Sequence, residues 1–221
     1  MICLICRTHF EEELRFTAIL FLYKNREWIC PQCQSAFVPI SENHCLTCYK
    51  EGNERKCNDC CFWQTKGSFV CHEALYSYNS AMKHYFSLYK FQGDYLLRKV
   101  FSKEIKKALK RYSDFTLVPI PLSEASIKQR KFNQVNAFLD DTGINYSELL
   151  GKRDTIKQQS DKTRKERLQS QQAFYLKKQS PLPPKILLID DIYTTGATIQ
   201  LASAIFRENG VKNICSFSLA R

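Results

Sequence analysis

A chain of 221 residues has room for one full α/β domain and a small accessory module. With 44% hydrophobic residues it can bury a real core, which excludes general disorder. Its net charge of +11 favours an anionic partner, and on charge alone nucleic acid, nucleotide phosphates and a membrane surface all stay open.

The chain opens on cysteine. Cys3 and Cys6 stand where the apolar stretch of a signal peptide would begin, so a cytoplasmic location is expected. The most apolar early run, Phe16 to Tyr23, is too short to span a bilayer and is flanked by Arg15 and Lys24, so no membrane insertion is expected. Ten of the eleven cysteines fall within residues 1–71. The composition therefore predicts a cysteine-rich zinc-binding module over 1–71 and a second domain over 72–221.

Four C-x-x-C pairs stand out: Cys3/Cys6, Cys30/Cys33, Cys45/Cys48 and Cys57/Cys60. Two thiolates three residues apart grip one face of a Zn²⁺ ion, and two such pairs complete a tetrahedron. In a reducing compartment clustered cysteines point to metal rather than disulfides. A redox C-x-x-C sits at the start of a thioredoxin-like helix, a context absent here. Eight ligands with no catalytic vacancy predict structural zinc, one or two ions, supplying folding energy to a module too small for its own core. Sequential and crossed pairing are both open. Cys61, Cys71, His9 and His44 are spare.

Beyond Cys71, strand and helix patterns alternate, which predicts a parallel sheet flanked by helices. Ala74 to Tyr78 reads as a first strand. Leu96, Leu97, Val100, Phe101, Ile105, Ala108 and Leu109 recur at helical spacing. Thr116 to Ile120 reads as a strand stopped by Pro121, and Gln134 to Leu139 as a helix. Gly151 to Gln172 is polar and rich in Lys, Arg and Gln, and is expected to be a mobile loop. Pro181, Pro183 and Pro184 stiffen the approach to the next strand, Ile186 to Ile189. A helix over Thr198 to Asn209, ended by Asn209-Gly210, and a last strand over Ile214 to Leu219 complete a βαβ unit.

The turn between that strand and helix carries the clearest chemistry. A buried strand delivers Asp190 and Asp191 to its C-terminal end, where α/β folds place their ligands. Thr194, Thr195, Gly196, Ala197 and Thr198 can turn amides and hydroxyls toward one phosphate, and the helix N-terminus adds partial positive charge. Gly196 lets the backbone approach closely. Two adjacent carboxylates suit the vicinal hydroxyls of a ribose and could help hold a hydrated Mg²⁺. Neither a Walker loop nor a GxGxxG fingerprint is present.

The run Asp190-Asp191-Ile192-Tyr193-Thr194-Thr195-Gly196-Ala197-Thr198 resembles the ribose-phosphate signature of type I phosphoribosyltransferases. That resemblance implies that Asp190 and Asp191 meet the ribose hydroxyls of phosphoribosyl diphosphate and that Thr194 to Thr198 cradle its 5′-phosphate. Tyr89-Lys90-Phe91-Gln92-Gly93-Asp94, Val118-Pro119-Ile120-Pro121 and Arg130-Lys131-Phe132-Asn133-Gln134 are similar to motifs of the ComF/ComFC late competence proteins, as is the run of C-x-x-C pairs. The resemblance covers essentially the whole chain. One departure is Lys131, where that family usually has glycine, so a left-handed backbone there would be strained.

The resemblance implies further that Pro119-Ile120-Pro121 forms part of a pyrophosphate loop, with Lys90 and Arg130 as pyrophosphate contacts; a diphosphate in a cleft needs cations. It implies a cytoplasmic role in natural transformation, receiving single-stranded DNA with a ComFA-type ATP-driven translocase as partner. Two basic stretches suit DNA phosphates: Arg98 to Arg111, and Lys152 to Arg167. Tyr85, Tyr89, Phe91 and Phe132 are candidates for stacking bases. The alternative is an active phosphoribosyltransferase with Mg²⁺ neutralising the leaving diphosphate. A ligand-sensing transcriptional regulator lacks support, since no helix-turn-helix segment precedes the ligand domain.

Overall fold

The computed structural model describes residues 1–11, 27–52, 55–67, 71–154, 172–177 and 181–221. The apolar run Phe16 to Tyr23 lies outside the described residues, as do residues 155–171 of the polar stretch, with Lys157, Lys162, Arg164, Lys165 and Arg167.

The centre is a four-stranded, all-parallel sheet of β1 (Cys71–Tyr76), β2 (Thr116–Pro119), β5 (Lys185–Ile192) and β6 (Asn213–Ala220), in the order β1-β6-β5-β2. The fold is α/β, as the alternating pattern predicts. Side chains alternate across the strands and feed two separate cores. Leu187 and Ile189 of β5, with Leu117, Phe217 and Leu219, join one cluster; Ile186 and Leu188, with Val118 and Ile214, join the other.

On the first face lie α3 (Ser80–Phe91), α4 (Ser102–Leu109) and α6 (Gln134–Thr142). Helix α3 starts where the Asn79 side chain accepts from the Met82 amide at 2.9 Å. Met82, Tyr85, Phe86 and Tyr89 recur at helical spacing and are fully or nearly fully buried. On the second face lies α7 (Ala197–Glu208), which buries Ile199, Ala202 and Phe206 and gives way at Asn209-Gly210, as expected; Gly210 adopts φ +87°.

Several elements differ from the sequence expectation. The first strand begins earlier, at Cys71, because His72 is buried between the hydroxyls of Ser216 and Ser218 at 2.9 and 3.0 Å. The helical run around Leu96 to Leu109 is two pieces: a 3-10 turn over Tyr95–Lys99 and then α4. They are separated at Phe101, whose ring sits 4.9, 5.1 and 5.0 Å from those of Phe37, Tyr76 and Tyr85. The polar stretch opens in a short antiparallel pair, β3 (Leu150–Lys152) with β4 (Phe174–Leu176), before residues 155–171 begin. A Cβ at Gly151 would meet the half-exposed Tyr175 ring on the opposite strand, which would have to swing away.

The cysteine-rich segment packs onto the sheet. Helices α1 (Pro31–Ser35) and α2 (Asn58–Thr65) begin at Cys30 and Cys57. Leu4, Ile29 and Phe37 join the first core, whereas Cys45, Cys48, Cys57 and Cys60 join the second. No helix among the described residues is long and apolar enough to cross a membrane.

Candidate functional site

The eight paired cysteines gather into two tetrads in sequential pairing: Cys3, Cys6, Cys30, Cys33 and Cys45, Cys48, Cys57, Cys60. Within each, the sulfurs all lie within 4.8 Å of one another. Tetrahedral zinc with Zn–S of about 2.3 Å sets S···S near 3.8 Å. Cys6 and Cys30 stand at 3.7 Å, Cys45 and Cys60 at 3.8 Å, and Cys48 and Cys57 at 3.5 Å. The two tetrads can therefore hold metal ions, and the donor set and spacing fit zinc. His9, His44, Cys61 and Cys71 belong to neither.

Each tetrad uses the same local design. A residue just after the second cysteine turns left-handed, Arg7 at φ +62° and Tyr49 at φ +60°. Its amide returns to the first cysteine's carbonyl: Arg7 to Cys3 at 3.0 Å and Tyr49 to Cys45 at 2.9 Å. The other two cysteines of each tetrad come from the start of a short helix.

A cavity of about 470 Å³ opens at the C-terminal end of the sheet. Asp190 and Asp191 reach it from the end of β5, and Thr194, Thr195, Ala197 and Thr198 from the turn into α7. Ile120 and Pro121 line it just after β2, Arg130 at the end of α5 (Glu124–Arg130), and Lys90 from α3. The residues singled out in the sequence are thus brought to one cavity, with Gly196 in the turn itself. Lys83 and Lys152, not among those candidates, line it too. Lys83 lies two helical turns before Lys90 on α3, so recognition of that helix would have placed both on one stripe.

Gly196 is the N-cap of α7 at φ +82°, with no side chain capping the first turn. A Cβ there would collide with the Tyr193 hydroxyl, so glycine is required on two counts. Among the described residues, the Thr195 hydroxyl and Gln134 Nε2 are buried polar atoms of this cavity with no hydrogen-bond partner. A polyanionic ligand would satisfy such donors.

Charge is concentrated here. Four cationic side chains, Lys83, Lys90, Arg130 and Lys152, face two carboxylates. Lys90 Nζ contacts Asp191 at 2.6 Å, and Asp190 accepts from the Asp191 amide at 2.9 Å. Burial, followed by the negative charge of Asp191, pushes the Asp190 carboxyl up to about 7.

Lys131 adopts the left-handed conformation, φ +69°, despite lacking glycine's freedom. It closes α5, its amide donating to the Ile127 carbonyl at 2.7 Å. The expected strain at Arg130-Lys131 is therefore present, in the segment that places Arg130.

For base stacking, the aromatic candidates need correction. Tyr85 and Tyr89 are 1% and 0% exposed and belong to the core, with their hydroxyls donating to the carbonyls of Leu97 and Gln134. Phe132 packs between Tyr89 and Tyr95. Tyr95, not among the candidates, is exposed, as are Tyr78 and Tyr175, and the Arg98 guanidinium lies 3.9 Å from the centre of the Tyr95 ring. In the basic stretch Arg98 and Lys99 pair with Asp141, while Lys106, Lys107 and Lys110 are exposed.

No protein-family model matches the chain. It is 42% identical over 221 residues to the competence protein ComFC of Streptococcus pneumoniae, covering both chains completely. It is 34% identical over 230 residues to the competence protein ComFC of Bacillus subtilis, covering all of this chain and 95% of that one. Full-length identity at that level, over a fold carrying the cysteine pairs and the Asp-Asp turn, establishes that the chain belongs to the ComFC family of competence proteins.

Proposed function

We propose that this is a cytoplasmic competence protein that handles incoming single-stranded DNA with a ComFA-type ATP-driven translocase and binds phosphoribosyl diphosphate with Mg²⁺. Family membership supports the competence role. The observation carrying the ligand reading is the cavity itself: paired carboxylates, four cations and an uncapped helix N-terminus meet in about 470 Å³. Asp190 and Asp191 would take the ribose diol, the Thr194–Thr198 turn the 5′-phosphate, and Lys90, Arg130 and Lys152 the diphosphate. A bound Mg²⁺ would supply further neutralisation of that diphosphate. Because Lys90 contacts Asp191 in the free protein, diphosphate and carboxylate would share this cation. Isothermal calorimetry with phosphoribosyl diphosphate and Mg²⁺ tests the reading; absence of binding at millimolar ligand contradicts it.

In the same reading the tetrads hold structural zinc, two ions per chain, and total-metal analysis should return that stoichiometry. The DNA reading draws on exposed Lys106, Lys107 and Lys110 and on the Tyr95–Arg98 stack. Filter binding of single-stranded DNA across a salt series should show affinity falling linearly on log–log axes; no binding at low salt, with or without the translocase, removes this element. Docking of the translocase on the cysteine-rich segment is best tested without deleting it, since Leu4, Ile29 and Phe37 sit in the core. Leu46, 73% exposed in the knuckle formed by Cys45 to Tyr49, is the probe: Leu46→Asp should weaken pull-down of the translocase.

The transferase alternative draws on the placement of Asp190 beside Asp191 and Lys90 in one cavity. Asp190, with a carboxyl held near neutrality in a cleft, is placed where proton transfer is feasible. Diphosphate release over a panel of bases, lost on Asp191→Asn, would support it; no release with any base would leave the binding role.

A further inference from the structure

The phosphate turn is held from behind. Trp63 Nε1 donates to the Thr195 carbonyl at 2.7 Å. The Arg221 guanidinium donates to the Thr194 carbonyl and, at 3.3 Å, to that of Tyr193. Both donors are buried, Trp63 at 9% exposure and the Arg221 side chain at 7%. In a trans peptide the amide points opposite to the carbonyl. Holding the carbonyls of Thr194 and Thr195 toward Trp63 and Arg221 therefore turns the amides of Thr195 and Gly196 the other way, to the side where Thr194, Thr195, Ala197 and Thr198 line the cavity.

Both donors also belong to the surroundings of the second cysteine tetrad. Trp63 follows Cys60 by three residues on α2, so the two share a helix face. Arg221 Nη2 stands 3.1 Å from Cys48 Sγ and 3.9 Å from Asp59. Thiolates gathered around a divalent ion retain net negative charge, which is the counter-charge a buried guanidinium needs. The first tetrad has neighbours in the other core, on the opposite face of the sheet.

We propose that the second tetrad and the phosphate turn form one coupled unit, in which Trp63 and Arg221 are positioning residues that transmit metal occupancy at Cys45, Cys48, Cys57 and Cys60 to the turn's affinity for a sugar phosphate. The inference rests on the zinc and phosphoribosyl readings above. A loaded tetrad fixes α2 and the Arg221 counter-charge, and these fix the outward carbonyls. An empty tetrad frees both donors, and the turn must pay in ordering when ligand arrives. By linkage, ligand in the turn must also hold the metal more firmly.

The test uses the full zinc-loaded chain and three variants: Trp63→Phe, which keeps a ring and removes the donor; Cys60→Ser, which opens the second tetrad; and Trp28→Phe, the chain's other tryptophan, as a control beside the first core. Hydrogen exchange of the Tyr193–Thr198 amides should quicken at least about fivefold in Trp63→Phe and Cys60→Ser and match wild type in Trp28→Phe. Trp63→Phe should keep its zinc content yet bind phosphoribosyl diphosphate and Mg²⁺ at least about fivefold more weakly. That ligand should slow zinc transfer to a chelator in wild type and not in Trp63→Phe. Wild-type exchange in Trp63→Phe, with zinc retained, overturns the coupling even if Cys60→Ser fails to fold. If wild type binds no phosphoribosyl diphosphate, the ligand reading fails, while the exchange comparison still decides the coupling.

Discussion

The two cysteine tetrads look interchangeable as sequence, and the fold makes them different. Both combine a knuckle with the start of a helix, and both bring four sulfurs to metal-binding distance. The first is half open: Cys6 is exposed and Cys33 partly so, and its neighbours pack with the aromatic cluster of α3 and α4. The second is buried at all four positions and lies against the face that carries α7 and the phosphate turn. The same cysteine chemistry thus lies against a core in one place and, in the reading proposed above, against a phosphate-binding turn in the other. What a metal site does for a protein is set by what its outer contacts touch, and the four ligands alone do not reveal it.

The largest effect should separate the tetrads directly. Cys60→Ser removes a sulfur from a fully buried cluster whose Cys48 faces Arg221; a loss of more than about 4 kcal/mol in denaturant-measured stability is expected. Cys6→Ser, at an exposed ligand, should lose less. Equal losses would erase the distinction.

Next comes pH. Asp190 carries a proton up to about 7, and a carboxylate that accepts from a ribose diol must release it. Affinity for phosphoribosyl diphosphate should therefore tighten about tenfold per pH unit up to pH near 7 and then level off. Asp190→Asn should lose that component of the profile, which separates it from titration of the ligand's own phosphates. The sign for the ligand-free protein is opposite. A carboxyl raised from 3.8 to about 7 on folding stabilises most at acid pH and loses that contribution as pH rises through 7. Denaturation profiles with and without ligand should accordingly diverge as pH rises towards 7 and run parallel above it.

Asp191→Asn removes the contact to Lys90 and one acceptor for the diol, so calorimetry should show affinity lower by about 2 kcal/mol, near thirtyfold, with both zinc ions retained. Zinc loss in that variant would mean that Asp191 supports a tetrad as well as the cavity. Gly196→Ala forces a Cβ against the Tyr193 hydroxyl at positive φ and should cost roughly 1–2 kcal/mol of stability by thermal melting. The smallest change is a gain. Lys131→Gly relieves a non-glycine residue at φ +69° and should stabilise the fold by up to about 1 kcal/mol, leaving both tetrads unaffected.

The parts legible in the sequence were those with a local cause. Ile186 to Ile189 is a short apolar run and became the buried centre of β5, and the Asn209-Gly210 stop ended α7 where expected. The C-x-x-C spacing gave the ligands, while the sequential pairing needed the fold, because either pairing satisfies the same spacing. The sequence expectation does not include helix α3, although Met82, Tyr85, Phe86 and Tyr89 recur at helical spacing; its other face carries Lys83, Ser87 and Lys90, which line the cavity. The start of β1 was hidden because His72 reads as polar; only its pairing with Ser216 and Ser218 across the sheet makes burial affordable. Trp63 and Thr195 meet across 132 residues of sequence, a contact that no pattern within either segment encodes.

In the function proposed above, a phosphoribosyl group occupies the cavity at the end of β5. The direct measurement is a crystal of the zinc-loaded protein soaked with phosphoribosyl diphosphate and Mg²⁺. Density is expected with the 5′-phosphate against the amides of Thr194–Thr198 and the ribose diol on Asp190 and Asp191. The same ligand found elsewhere on the chain, with that cavity empty at saturating concentration, would contradict it.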